Sequence, residues 1–223
     1  MADKALATVP GAHGLVLTTE RLAAARRLFE ADAEWQAMEQ LFDELRTAYP
    51  SNRDLKAVLL KASVINALYA TNVWAIRAMA RHICDVFSGD AGDPDAGLVG
   101  RIAELAVGGR VRHFVSFASK YAHFFVDPGR FLILDYYAGQ AVAVHLGARR
   151  VDPADWTPDY PTFVQRVETL RRRDGITVSN RELDHYLWLY GCWRDHLQGR
   201  LQSRDLADTF RRADAELRFA FGE

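Results

Sequence analysis

"FASKYAHFFVDPGRFLILDYYA", residues 117 to 138, decides how the chain is read. Lys120 lies inside an apolar, aromatic run, and Asp135 closes a second apolar run fifteen residues later. The first run reads as part of a helix over about 111–125. "VDPGR" is a turn, because Pro presets φ and Asp and Gly favour turn geometry. "FLIL" is short and extended. Asp135 then stands where an N-cap belongs, ahead of "YYAGQAVAVHLG". A carboxylate there accepts backbone N–H bonds and stays ionised. Each residue has a plain reading, a lysine that snorkels to water and an aspartate that only caps. Together they also make an amine and a fixed carboxylate with little polar company.

Upstream, Thr18 caps an amphipathic segment of one helix or two, with Leu22, Ala25, Leu28, Phe29, Met38, Leu41, Phe42 and Leu45 recurring at threes and fours. "YPSNRD" breaks it. Ser51 and Asp54 have the spacing of a capping box for the next helical run, "LKAVLLKASVINALYATNVWAIRAMARHICDVF". That run is apolar on more than one face, so it is buried or broken in two. "SGDAGDPDAG" is a loop, and a short helix around "LVGRIAEL" stops at Gly108 and Gly109. Downstream, "RRVDPADWTPDYP" is a connector. A helix over about 160–173 stops at Gly175, Ser179 and Glu182 form a capping box, and a last helix covers about 204–220. The total is roughly eight or nine helices with no convincing strand pair.

At 223 residues, 49% hydrophobic and 26% charged, the chain is long enough to bury a sizeable core. A net charge of −1 supplies no global field for a polyanion, so nucleic acid would need a local basic face. Cys84 and Cys192 are too few and too far apart for a disulfide framework or a thiolate metal site. No signal pattern and no membrane-length apolar run is present, and the expected location is the cytoplasm. Glu182 and His185 show one copy of the E-x-x-H spacing, where di-iron bundles need two, and no metal site is expected.

"SFASKYAHFF…RFLILDYYAGQAV" resembles the catalytic region of the helix-hairpin-helix DNA glycosylase superfamily, nearest its 8-oxoguanine glycosylase-like branch. In that pattern a lysine follows a hairpin, and an apolar stretch leads to an aspartate capping the next helix. Lys120 and Asp135 match those positions, and Asn66 matches a polar residue of the family's long helix. The hairpin is degenerate, with "FVSFASK" where the family has Gly-x-Gly. The resemblance implies an all-α, single-domain monomer over 1–223 with two packed helical lobes and the active site between them. It implies a DNA glycosylase that excises a damaged or modified base after flipping it, with or without strand cleavage at the abasic site. Base excision repair and defence against phage DNA are both open roles. No cofactor is implied.

The chemistry is coherent on these residues. Cleaving an N-glycosidic bond builds positive charge on the sugar, and an ionised Asp135 stabilises it. A neutral Lys120 can attack C1′, and its apolar surroundings favour the neutral form by desolvation. Asn66, Phe117, His123, Tyr136 and Trp188 are candidates for holding the extruded base, with Trp74, Tyr137 and Tyr190 among the further aromatics. Arg110, Arg112, Ser116, Ser119 and Arg149 are candidates for its phosphates. The alternative is a non-catalytic DNA-binding module on the same fold.

Overall fold

The computed structural model describes residues 14–89, 97–148 and 155–222. The described residues are mostly helical, with one small hairpin. They divide into two compact units. Gln36–Leu134 and Pro158–Pro161 form one, and the described residues flanking these segments form the other.

Local bonds set most helix ends. The Thr18 side chain accepts from the Arg21 N–H and starts α1 (Thr19–Ala31). Asp32 Oδ1 then accepts from the N–H groups of Glu34 and Trp35 and opens α2 (Ala33–Ala48), so the first amphipathic segment is two helices. The N-cap of α3 (Leu55–Leu68) is Asp54, whose carboxylate accepts from Ala57. Ser51 accepts instead from Arg53 and Asp54, which shapes the preceding turn and is not the helix cap the spacing suggested.

The long run that follows breaks at residues 69–75, and α4 (Ile76–Gly89) resumes after it. The cause is Asn66. Its side-chain oxygen accepts from the Thr71 hydroxyl at 2.9 Å and the Val73 N–H at 2.8 Å. Such side-chain bonds compete with the helical ladder. Ala70 and Asn72 take positive φ of 45° and 58° in this turn.

The short helix α5 ends earlier than expected, at Leu98–Ala103. Residues Glu104–Val107 (β1) and Arg110–His113 (β2) then form an antiparallel pair, with Val107 opposite Arg110. Gly108 and Gly109, at φ 60° and 72°, are therefore the two-residue turn of a hairpin and not a helix stop. Two consecutive positive-φ residues give the twist a tight hairpin needs, and glycine supplies them without steric cost. This strand pair corrects the expectation of none. It also shortens the following helix, α6, to Val115–Phe125. Every residue from Phe117 to Phe125 is buried, and Phe124 stacks on Phe42 of α2 at 4.1 Å. Helix α3 packs on α4 and α6, and α5 packs on α6.

In the other unit, Asp135 caps α7 (Tyr136–His145). Helix α8 (Tyr160–Asp174) ends ahead of Gly175 at φ 67°. Ser179 and Glu182 form the expected capping box of α9 (Asn180–Leu197). The expected last helix is two, α10 (Arg204–Arg212) and α11 (Asp214–Phe221). Helix α9 packs against α1, α7 and α10. A Cβ on Gly191 would lie 2.7 Å from the Tyr137 side chain, so the α7–α9 approach needs glycine there. The extended residues before α1 are tied down by three side chains. His145 Nδ1 lies 2.7 Å from Leu15 O, Arg173 donates to the same oxygen at 3.1 Å, and Leu17 N–H donates to Asp174 at 2.8 Å. Burial draws the His145 imidazole down to about 4.

Candidate active site

Lys120 lies mid-helix on α6 and is only 2% exposed. Its Nζ donates to Ser116 Oγ, one turn earlier, at 3.1 Å, and sits 5.1 Å from the centre of the Tyr69 ring. The amine therefore does not snorkel to water. It is held in the interior between a hydroxyl and an aromatic face. Tyr69 is the C-cap residue of α3 and begins the Asn66-pinned turn. Its ring also lies 5.8 Å from the rings of Phe42 and Phe124.

Asp135 is half-buried, and Oδ1 accepts the Ala138 N–H at 2.9 Å. It opens the second segment of one unit, while Lys120 belongs to the other. The extended leg before it is anchored by Ser119. That hydroxyl accepts the Leu134 N–H at 3.0 Å and lies 3.2 Å from Leu134 O and 3.1 Å from Ser116 O. Ser119 is 0% exposed, so its hydroxyl serves this backbone and is closed to a phosphate. Ser116 is occupied by Lys120.

The other candidates make separate contacts of their own. The Asn66 oxygen is engaged in the 69–75 turn. Phe117 is buried beside Tyr121, with ring centres 6.1 Å apart. His123 is buried, with Nδ1 2.8 Å from Phe131 O, and so braces the apolar leg. Tyr136 meets Trp156 edge-on, and Trp188 meets Trp35 likewise at 5.3 Å. Arg110 and Arg112 stand exposed on β2, two residues apart and so on one face of the strand. Arg149 lies outside the described residues. Trp74, on the pinned turn, is 68% exposed. Glu182 accepts from Ser179 and pairs with Arg26, while His185 stacks on Phe29 at 3.6 Å. Among the described residues no group of three or more His, Cys, Asp or Glu side chains is placed to hold a metal ion. A surface depression of about 480 Å³ on α2, lined by Asp43, Glu44, Thr47 and Ala48, contains none of the candidates.

Sequence reasoning missed Lys61, which is 0% exposed on α3. Its Nζ donates to Tyr49 O at 3.1 Å, Ser51 O at 3.0 Å and Asn52 Oδ1 at 2.6 Å. Asn52 Oδ1 also accepts from the Tyr121 hydroxyl, and its amide donates to Phe125 O. Burial draws the Lys61 amine down to about 8. The available signal was a lysine between "VLL" and "ASVI" with apolar residues on both sides. Two of its three partners are backbone carbonyls, which no residue-type pattern marks.

The described residues thus define a mostly helical protein with two buried lysines, Lys61 on α3 and Lys120 on α6, and no helix among them is long and apolar enough to cross a membrane. A family model, HI_0787_N, described as an N-terminal domain, matches residues 20–129, a stretch that takes in Lys61, Asn66, Tyr69 and Lys120. An uncharacterized protein of Haemophilus influenzae (strain ATCC 51907 / DSM 11121 / KW20 / Rd) is 33% identical over 143 residues, covering 61% of this chain and 67% of that protein. The chain belongs to the family of that Haemophilus influenzae protein. No solved structure matches it.

Proposed function

We propose that the protein is a DNA glycosylase of helix-hairpin-helix type that removes a damaged or modified base, with Lys120 as nucleophile and Asp135 as the charge-stabilising carboxylate. The observation that carries this reading is the order of elements around the two residues. The lysine-bearing helix is followed by an anchored extended leg and then a helix capped by the aspartate; residues 114–120, read from the sequence as the hairpin, are instead the start of α6, and the two-stranded turn lies ahead of them at 104–113. In the proposed reaction the neutral amine forms a bond to C1′ as the bond from C1′ to the base nitrogen breaks. The base leaves with the bonding pair and takes up a proton from solvent; the C1′–O4′ bond then breaks, O4′ takes a proton from the attached nitrogen, and a protonated imine remains. Asp135 opposes the positive charge that builds on the sugar. Arg110 and Arg112 take backbone phosphates. The two free cysteines suit a reducing compartment such as the cytoplasm.

The burial of Lys120 favours a second reading, a non-catalytic DNA-binding module, because a 2% exposed amine is closed to a sugar as it stands. Borohydride trapping on oligonucleotides carrying a panel of modified bases separates the two. The glycosylase reading expects a covalent adduct that disappears in Lys120→Ala. DNA binding with no adduct and no released base from any member of the panel would instead establish the module.

A further inference from the structure

We propose that Tyr69 is a positioning residue for Lys120: its ring covers and orients the amine, and the 69–75 turn must withdraw for the amine to meet a substrate. This rests on reading Lys120 as the reactive amine. Three observations carry it. The amine is buried 5.1 Å from the Tyr69 ring, and Tyr69 itself is half-buried and so borders solvent. The ring is carried by the C-cap residue of α3, at the start of the turn, and not by the body of a helix. The turn is also strained, with Ala70 and Asn72 both at positive φ and held there by bonds to one side chain, Asn66. Positive φ at a residue with a Cβ is costly and persists only where surrounding bonds enforce it. In the same turn Trp74 presents its indole to solvent, which offers an incoming nucleobase a stacking face on the element that has to move.

The sequence makes the test clean, because Lys4, Lys56, Lys61 and Lys120 are its only lysines. Reductive methylation with formaldehyde and cyanoborohydride, read by peptide mass spectrometry, follows each one separately. Exposed Lys56 calibrates full reactivity, and buried Lys61 reports global unfolding. In the wild type Lys120 should react roughly tenfold or more slowly than Lys56, as expected for a group reached only through local opening. Tyr69→Ala removes the cover, and Asn66→Ala keeps the ring but frees the turn. At least one of them should raise Lys120 labelling by roughly tenfold with Lys61 unchanged, while Tyr69→Phe should match the wild type. The proposal is overturned if Lys120 already reacts as fast as Lys56, if neither alanine variant raises it, or if Lys61 rises with it in both. No DNA is present in this measurement, so it can fail while adduct trapping succeeds, or succeed while trapping fails.

Discussion

Replacing Lys61 with Met should change how stability depends on pH, and the change can be worked from its surroundings. The Lys61 amine is drawn from 10.5 to about 8 by burial. Below pH 8 both folded and unfolded chains carry its proton, and the folded state bears the full cost of the buried charge. Between 8 and 10.5 the unfolded chain still holds a proton that the folded one has released, so unfolding free energy rises with pH. The interval is about 2.5 pH units at about 1.4 kcal/mol each, so the gain approaches about 3 kcal/mol. Lys61→Met has no such proton to lose. At pH 7 it is relieved of the buried charge but strands Tyr49 O and Ser51 O, at about 1–3 kcal/mol per unsatisfied group, so the two effects largely offset. The stability difference between wild type and variant should therefore be small at pH 7 and grow by about 3 kcal/mol in favour of the wild type by pH 10.5. Urea denaturation followed by tryptophan fluorescence at half-unit pH steps measures it. Burial also raises Tyr160, which titrates in both proteins and drops out of the difference, and it lifts Tyr121, which shares the Asn52 oxygen with Lys61, well above 10. A difference that stays flat from pH 7.5 to 10.5 refutes the reasoning.

His145 gives the opposite limb. Its folded value of about 4 lies below the ordinary 6.5, so its contribution is complete above pH 6.5 and is lost as pH falls towards 4. Thermal melts should show an acid-side loss of up to about 3 kcal/mol in the wild type that shrinks in His145→Gln. Asp135 can be split into its two roles, since Asn caps helices as well as Asp does. Asp135→Asn should keep stability within about 0.5 kcal/mol yet abolish adduct trapping, while Asp135→Ala should also lose about 1 kcal/mol in chemical denaturation. Equal trapping by Asp135→Asn and wild type would remove the carboxylate from the chemistry. Arg110→Ala with Arg112→Ala should lower the slope of log affinity against log salt by about 2 in duplex binding, and an unchanged slope would take β2 off the DNA.

Helix starts at Thr18, Asp135 and Ser179 were legible because each is a bond from a side chain to a backbone group two or three positions on. Such bonds need no other part of the chain. The hairpin was not read, because two four-residue strands offer little periodicity and the same two glycines also suit a helix end. The break at 69–75 is only one of two readings of that run, for a related reason. Asn66 lies in a strong helical pattern, and only its side-chain bonds to Thr71 and Val73 show the ladder being interrupted.

The sequence alone determined the helical class, most of the helix caps, and the presence of an amine and a carboxylate on either side of a turn and an apolar leg. It did not determine what surrounds the amine. Tertiary packing brings the Tyr69 ring over Lys120 and three oxygens of the α2–α3 connection around Lys61. Whether a lysine reaches water or is enclosed depends on which distant rings and carbonyls fill the space around its nitrogen, and that is a property of the packed chain rather than of its neighbours in order.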